Sequence, residues 1–265
     1  TNRKTPLVCL EICVQSGSLK ESQPGEANLM LACLFKGSQS LSHRKFSHQL
    51  ESLGGSLSLR CTPTAQYIRL EVLGVHLRAA FTLIWDALHS PLFLTEEVEK
   101  EKKLLLSQLK NAEESSAYLA QNAFLKHIYG ASAEALLVDG TPEALKRLSR
   151  EDLIQFHRQH YRLNNMMISV SGHFSEAIQS LITSPVSEKS HPQALSFPPL
   201  KLPGLSSYQT HIKTPDKDQC VVLMGHIGVQ RDDPDFMPLM VLDILLGQGP
   251  GFSSRLPQLL RDKHG

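Results

Sequence analysis

Peptide hydrolysis by a helix-borne zinc ion needs imidazoles at i and i+4 with a carboxylate at i+3, because those three positions share one helix face. The imidazoles grip the ion, the carboxylate activates a bound water, and a third protein ligand leaves one coordination position open. The segment Gly25 to Ser38, GEANLMLACLFKGS, has the apolar content of such a helix. Asn28, Leu31 and Ala32 stand at the required spacing. Leu31 cannot accept a proton, Ala32 has no donor atom, and Asn28 offers one neutral carbonyl oxygen, a poor zinc ligand. By itself the run reads as a buried helix.

Other groupings are weaker still. His157 and His160 stand at i, i+3, but no carboxylate falls at ligand spacing, and twelve histidines generate such pairs by chance. His43 and His48, five apart, share a face poorly. Gly247 to Gly251, GQGPG, lacks the Lys-Ser/Thr of a phosphate-binding loop and reads as a flexible turn. Five scattered cysteines, odd in number and mostly inside apolar runs, read as buried free thiols and leave the compartment open.

The elements that must position these groups follow from periodicity. A strand over Pro6 to Gln15 precedes the turn Ser16-Gly17-Ser18, and helices are expected near 25–35 and 41–53. Two strands, SLSLRCT and QYIRLEVL, follow; in the second, Tyr67, Arg69 and Glu71 alternate with Ile68, Leu70 and Val72. A helix over Leu77 to His89 carries Trp85 as a core anchor. Thr95 is placed to cap a long helix, with Glu96/Lys100 and Glu99/Lys103 as pairs along a solvated face. Serines and six prolines mark 184–216 as a linker. Beyond it, a resemblance to a known family implies a strand in QCVVLMGHIGV and a helix over 234–246. At 265 residues and 41% hydrophobic content the chain can hold one large or two smaller domains. Its net charge of +1 argues for neither nucleic acid nor an acidic membrane surface, and no apolar run reaches the length of a membrane span.

The frame of 25–38 resembles the active-site segment of the pitrilysin/insulinase family, which includes the mitochondrial processing peptidase. That family's segment runs Gly-x-Ala-His-Phe-Leu-Glu-His, followed after a hydrophobic stretch by Phe-Lys-Gly-Thr. Gly25, Ala27, Phe35, Lys36 and Gly37 hold the frame, while Asn28, Leu31 and Ala32 replace His, Glu and His. The resemblance puts the family's third ligand, a Glu, at Gln108, and its assisting carboxylate at Glu101. Tyr129, Gly130, Gly140, Thr141, Phe156, His157, Tyr161, Asn165, Gly172 and Phe174 continue the match, with Ser132, Ala133 and Glu134 replacing a His-Pro-Tyr. Glu21 stands one place from an acidic residue of the family's turn.

What the resemblance implies is an α+β fold of mostly antiparallel sheet flanked by helices, built as two similar halves. The first domain would span 1–183, the linker 184–215, and 216–265 would begin an incomplete second half, with a further strand before Pro6 and a continuing helix after Gly265. It implies a non-catalytic subunit with no cofactor of its own, zinc being expected only in an active partner. Peptide would be held for that homologous zinc-bearing subunit, or within a homodimer. Ser58 and Leu59 replace the family's Asn-Ala on a substrate-pairing edge strand, and Arg261 matches an Arg that holds the substrate carbonyl, with a Tyr partner falling past Gly265. A structural core subunit of a respiratory assembly and a peptidase with rearranged zinc ligands are the alternatives. Bacterial periplasm or cytoplasm and the mitochondrial matrix are all compatible.

Overall fold

The computed structural model describes residues 6–130, 135, 137–174, 180, 208–213, 220–248 and 254–264. The chain divides into two compact units, Thr1–Leu223 and Met224–Gly265.

In the first unit the sheet is antiparallel, in the order β2-β3-β1-β4, with strands β1 (Leu7–Val14), β2 (Ser56–Cys61), β3 (Gln66–Leu73) and β4 (Met166–Gly172). The register is fixed by the buried row: Ile12 lies opposite Ile68 on one side and Ile168 on the other. A one-residue slip would turn every apolar side chain of β1 to the wet face. Val8, Leu10, Ile12 and Val14 of β1 and Ile68, Leu70 and Val72 of β3 are fully buried. Between them Tyr67 and Glu71 stay half-buried and Arg69 is exposed, the alternation expected of a sheet covered on one face.

Among the described residues the α-helices of this unit are α1 (Glu26–Cys33), α2 (His43–Ser52), α3 (Leu77–His89), α4 (Thr95–Glu113), α5 (Ser116–Tyr129), α6 (Pro142–Arg147) and α7 (Arg150–His160). Helix α1 packs against α4, α7 and β2, with Leu29, Met30 and Leu31 in the core beside Phe81, Ile84, Leu153 and Phe156. Trp85 is partly buried and stacks on Phe81 with ring centroids 5.2 Å apart. The α+β class and the antiparallel sheet are those the sequence implies.

Local expectations need three corrections. Thr95 is the first helical residue of α4 rather than its cap; Leu94 precedes it in a non-helical conformation. The charge pairs are Lys100–Glu97 at 2.7 Å and Lys102–Glu99 at 2.9 Å, three residues apart rather than four. Both spacings are neighbours on a helix, and Lys102 is buried while its partner Glu99 stays exposed. Residues 220–230 form no strand, because among the described residues no segment lies alongside to complete a ladder.

The second unit contains α8 (Phe236–Asp243), which continues as a π-helical turn to Gln248. Residues 132–134, most of the proline-rich stretch and Gly249-Pro250-Gly251 lie outside the described residues. Among the described residues no helix is long and apolar enough to cross a membrane.

Candidate functional site around helix α1

The start of α1 is pressed beneath the Asp139–Gly140 turn, and two glycines permit it. Gly25 precedes α1 at φ 89°, where a Cβ would sit 2.9 Å from Leu145 Cδ2. Gly140 has φ 75°, and a Cβ there would approach Gly25 Cα to 2.7 Å. Only glycine takes both the left-handed backbone and the contact.

Because Gly25 has no side chain to cap α1, Glu21 does so. Its Oε1 accepts from Gly25 N at 3.0 Å and its Oε2 from Ala27 N at 3.2 Å. One residue into the helix, buried Glu26 accepts from Ser22 N at 2.7 Å and Ser22 Oγ at 2.8 Å. Burial pushes the Glu21 carboxyl up to about 7; the two backbone N–H bonds oppose this and the nearby Glu26 adds to it. The family-like acidic residue of this turn is therefore a helix cap.

The three motif positions have separate fates. Asn28 Nδ2 donates to Asp139 Oδ1 at 3.1 Å, and burial raises the Asp139 carboxyl. Leu31 is 2% exposed and belongs to the core, while Ala32 is half-buried. On α4, Glu101 Oε1 lies 2.8 Å from Lys36 Nζ, and Gln108 is exposed. Cys33, buried nearby, has its thiol pushed up to about 12, first by burial and then by Glu101, so no thiolate is available at neutral pH. An amide committed to a carboxylate, two hydrocarbon side chains and an exposed amide do not fit a zinc ion. Among the described residues no group of three or more His, Cys, Asp or Glu is placed to hold a metal.

The histidine pair on α7 is also accounted for. His157 Nε2 sits 2.8 Å from Leu88 O and its ring stacks on Tyr161. His160 packs on the Phe156 ring, with centroids 4.5 Å apart. Burial lowers both imidazoles, so each favours the neutral form.

One buried connection escaped the reading of the sequence. Tyr161 Oη donates to Gln66 Oε1 at 2.6 Å, and Gln66 Nε2 donates to Ala27 O at 2.6 Å, joining the end of α7 through β3 to α1. The available signal was a glutamine at 66, in phase with inward-facing 68, 70 and 72.

Ser58 and Leu59 lie on β2, the outer strand of the sheet, and both are exposed. Beside them the Arg60 guanidinium covers the Tyr67 ring at 4.3 Å. Arg261 belongs to the second unit, exposed on the π-helical turn Gln258–Lys263.

Residues 1–138 match the family model described as insulinase (peptidase family M16), and residues 147–265 match the model described as peptidase M16 inactive domain. The chain belongs to peptidase family M16, the pitrilysin/insulinase family that the frame around Asn28 resembles. An uncharacterized zinc protease of Rickettsia bellii is 23% identical over 263 residues, covering 97% of this chain and 62% of that protein. The non-peptidase homolog YmxG of Helicobacter pylori is 27% identical over 261 residues, covering 94% of this chain and 57% of that protein. The crystal structure of a peptidase M16 inactive domain from Pseudomonas fluorescens aligns with a TM-score of 0.81 at 23% identity, covering 98% of this chain and 64% of that one. At that identity the likeness is one of fold. The chain spans 57% to 62% of the length of these two curated relatives.

Proposed function

We propose that this chain is a non-catalytic subunit of a peptidase M16 assembly, holding peptide for a homologous partner that carries the zinc ion. The observation that carries the assignment is the set Asn28, Leu31, Ala32 and Gln108 within an otherwise kept frame. Two of these residues are built into the fold, Asn28 bonding Asp139 and Leu31 packing the core, and the carboxylate of Glu101 is matched by Lys36. A relative described as a non-peptidase homolog is consistent with loss of catalysis within the family.

Peptide holding falls to the outer edge of β2. An extended segment laid along Ser56–Cys61 pairs through main-chain groups, so replacement of side chains at Ser58 and Leu59 leaves that capacity in place. Arg261 supplies a cation for a substrate carbonyl in the assembled complex.

Co-purification with an intact zinc-bearing homologue tests the assembly. The expected result is a stable complex that cleaves peptide faster than the zinc subunit alone, with slowed amide exchange over 56–61 when peptide is added. Recovery in a membrane-bound respiratory assembly, with no effect on peptide cleavage, would favour a structural core role instead.

A further inference from the structure

The outer face of α7 carries positive charge that no carboxylate among the described residues neutralises. Its capping box consumes Asp152, which accepts from Ser149 N and Ser149 Oγ, both at 2.8 Å. The acidic side chain that lines the groove on this face, Glu151, is claimed by Arg150 at 3.5 Å. Arg150 is itself pinned, donating from Nε to Phe93 O at 2.7 Å and from Nη2 to Leu92 O at 3.0 Å.

Near the end of α7, Arg158, and just past it, Arg162, are exposed and have no carboxylate partner among the described residues. The Nε of Arg162 donates to Arg158 O at 3.2 Å, which fixes the start of that side chain and leaves the guanidinium fork outward. The groove between these arginines has a volume of about 500 Å³. Gln155 and Gln159 line it with amides, and half-buried Ile154 gives it an apolar floor that reaches the core. Lys20 and Arg162 both act on the neighbouring His160 imidazole, which adds no negative charge here.

We propose that this groove docks an acidic segment of a partner polypeptide. The guanidiniums of Arg158, on α7, and Arg162, in extended backbone just past its end, line one groove with Ile154, so carboxylates can pair with them while an apolar side chain packs on Ile154. A free anion finds no convergent cradle here, since the Nε and Nη2 donors of Arg150 are already spent. Nucleic acid is disfavoured by the chain's net charge of +1. The proposal stands apart from the peptide-holding role assigned to β2.

The test is fluorescence titration of the whole chain with a labelled acidic peptide bearing glutamates on both sides of a central leucine. Charge reversal in R158E/R162E is expected to weaken binding by about tenfold or more, and added salt to weaken wild-type binding. Both side chains are exposed, so the melting temperature of the variant should stay near wild type. K103E, on exposed α4 surface, makes the control and should leave affinity unchanged. Equal affinity for wild type and R158E/R162E would overturn the proposal, as would equal weakening by K103E. Displacement of the peptide by millimolar inorganic phosphate at constant ionic strength would also overturn it, in favour of a small-anion site.

Discussion

Lys36 Nζ lies 2.8 Å from Glu101 Oε1, joining the segment just after α1 to the first half of α4. Both side chains are largely shielded, with 26% and 14% of their surface exposed, so the pair is screened less than a surface bridge. The carboxylate kept from the family pattern is thus answered by a residue of the same kept frame. Removing either partner should cost about 1 kcal/mol, and a double-mutant cycle with Lys36→Met and Glu101→Gln should recover part of it as coupling. Urea unfolding of the four proteins measures both quantities; strictly additive losses would mean the pair contributes nothing.

Leu31 gives a sharper contrast between packing and chemistry. Truncation to Ala should destabilise the fold by about 2–5 kcal/mol, because a fully packed leucine leaves a cavity. Restoring the family's acid with Leu31→Glu should cost at least as much and confer no peptidase activity. A charge would then be buried without a partner. Thermal unfolding and a peptide cleavage assay read the two outcomes.

The chain Tyr161–Gln66–Ala27 predicts a loss without loss of fold. Tyr161→Phe removes the donor to Gln66 Oε1 while keeping the ring, leaving a buried acceptor unmatched. The expected cost is about 1–3 kcal/mol, measured by urea denaturation, with an unchanged far-ultraviolet spectrum.

Stability should depend on pH through two opposing groups. Glu21 titrates near 7 in the folded chain and near 4.5 when unfolded, so the folded state holds the extra proton between those values. Its contribution is fully present below about 4.5 and is lost as pH rises through about 7. His157 and His160 act oppositely: their folded pKa values lie below 6.5, so their contribution is present above 6.5 and is lost as pH falls. Glu21→Gln should remove the fall on the alkaline side and leave the acid-side loss. Unfolding free energies across pH 4 to 8, estimated by linear extrapolation, decide it.

Much of the fold is legible in local pattern. The alternation in QYIRLEVL gives β3 and its buried face, and Leu77–His89 is the α3 that apolar spacing describes. That Asn28, Leu31 and Ala32 bring no imidazole or carboxylate is a matter of composition and needs no coordinates. Contacts across long sequence separation are not legible in this way. Nothing in the neighbourhood of Asp139 announces that it meets Asn28, and Gln66 finds Tyr161 only because β3 and α7 pack over α1. Residues 220–230 mark the reverse failure: their apolar content suits a strand, but a strand exists only with a neighbour to complete its ladder.

Zinc content is the most direct measure of the central claim, that α1 keeps a peptidase frame without the donors for a metal. Purified chain dialysed against excess zinc and then desalted should retain far less than one ion per molecule and should cleave no peptide. One tightly held zinc per chain, removed by a chelator together with peptidase activity, would contradict it.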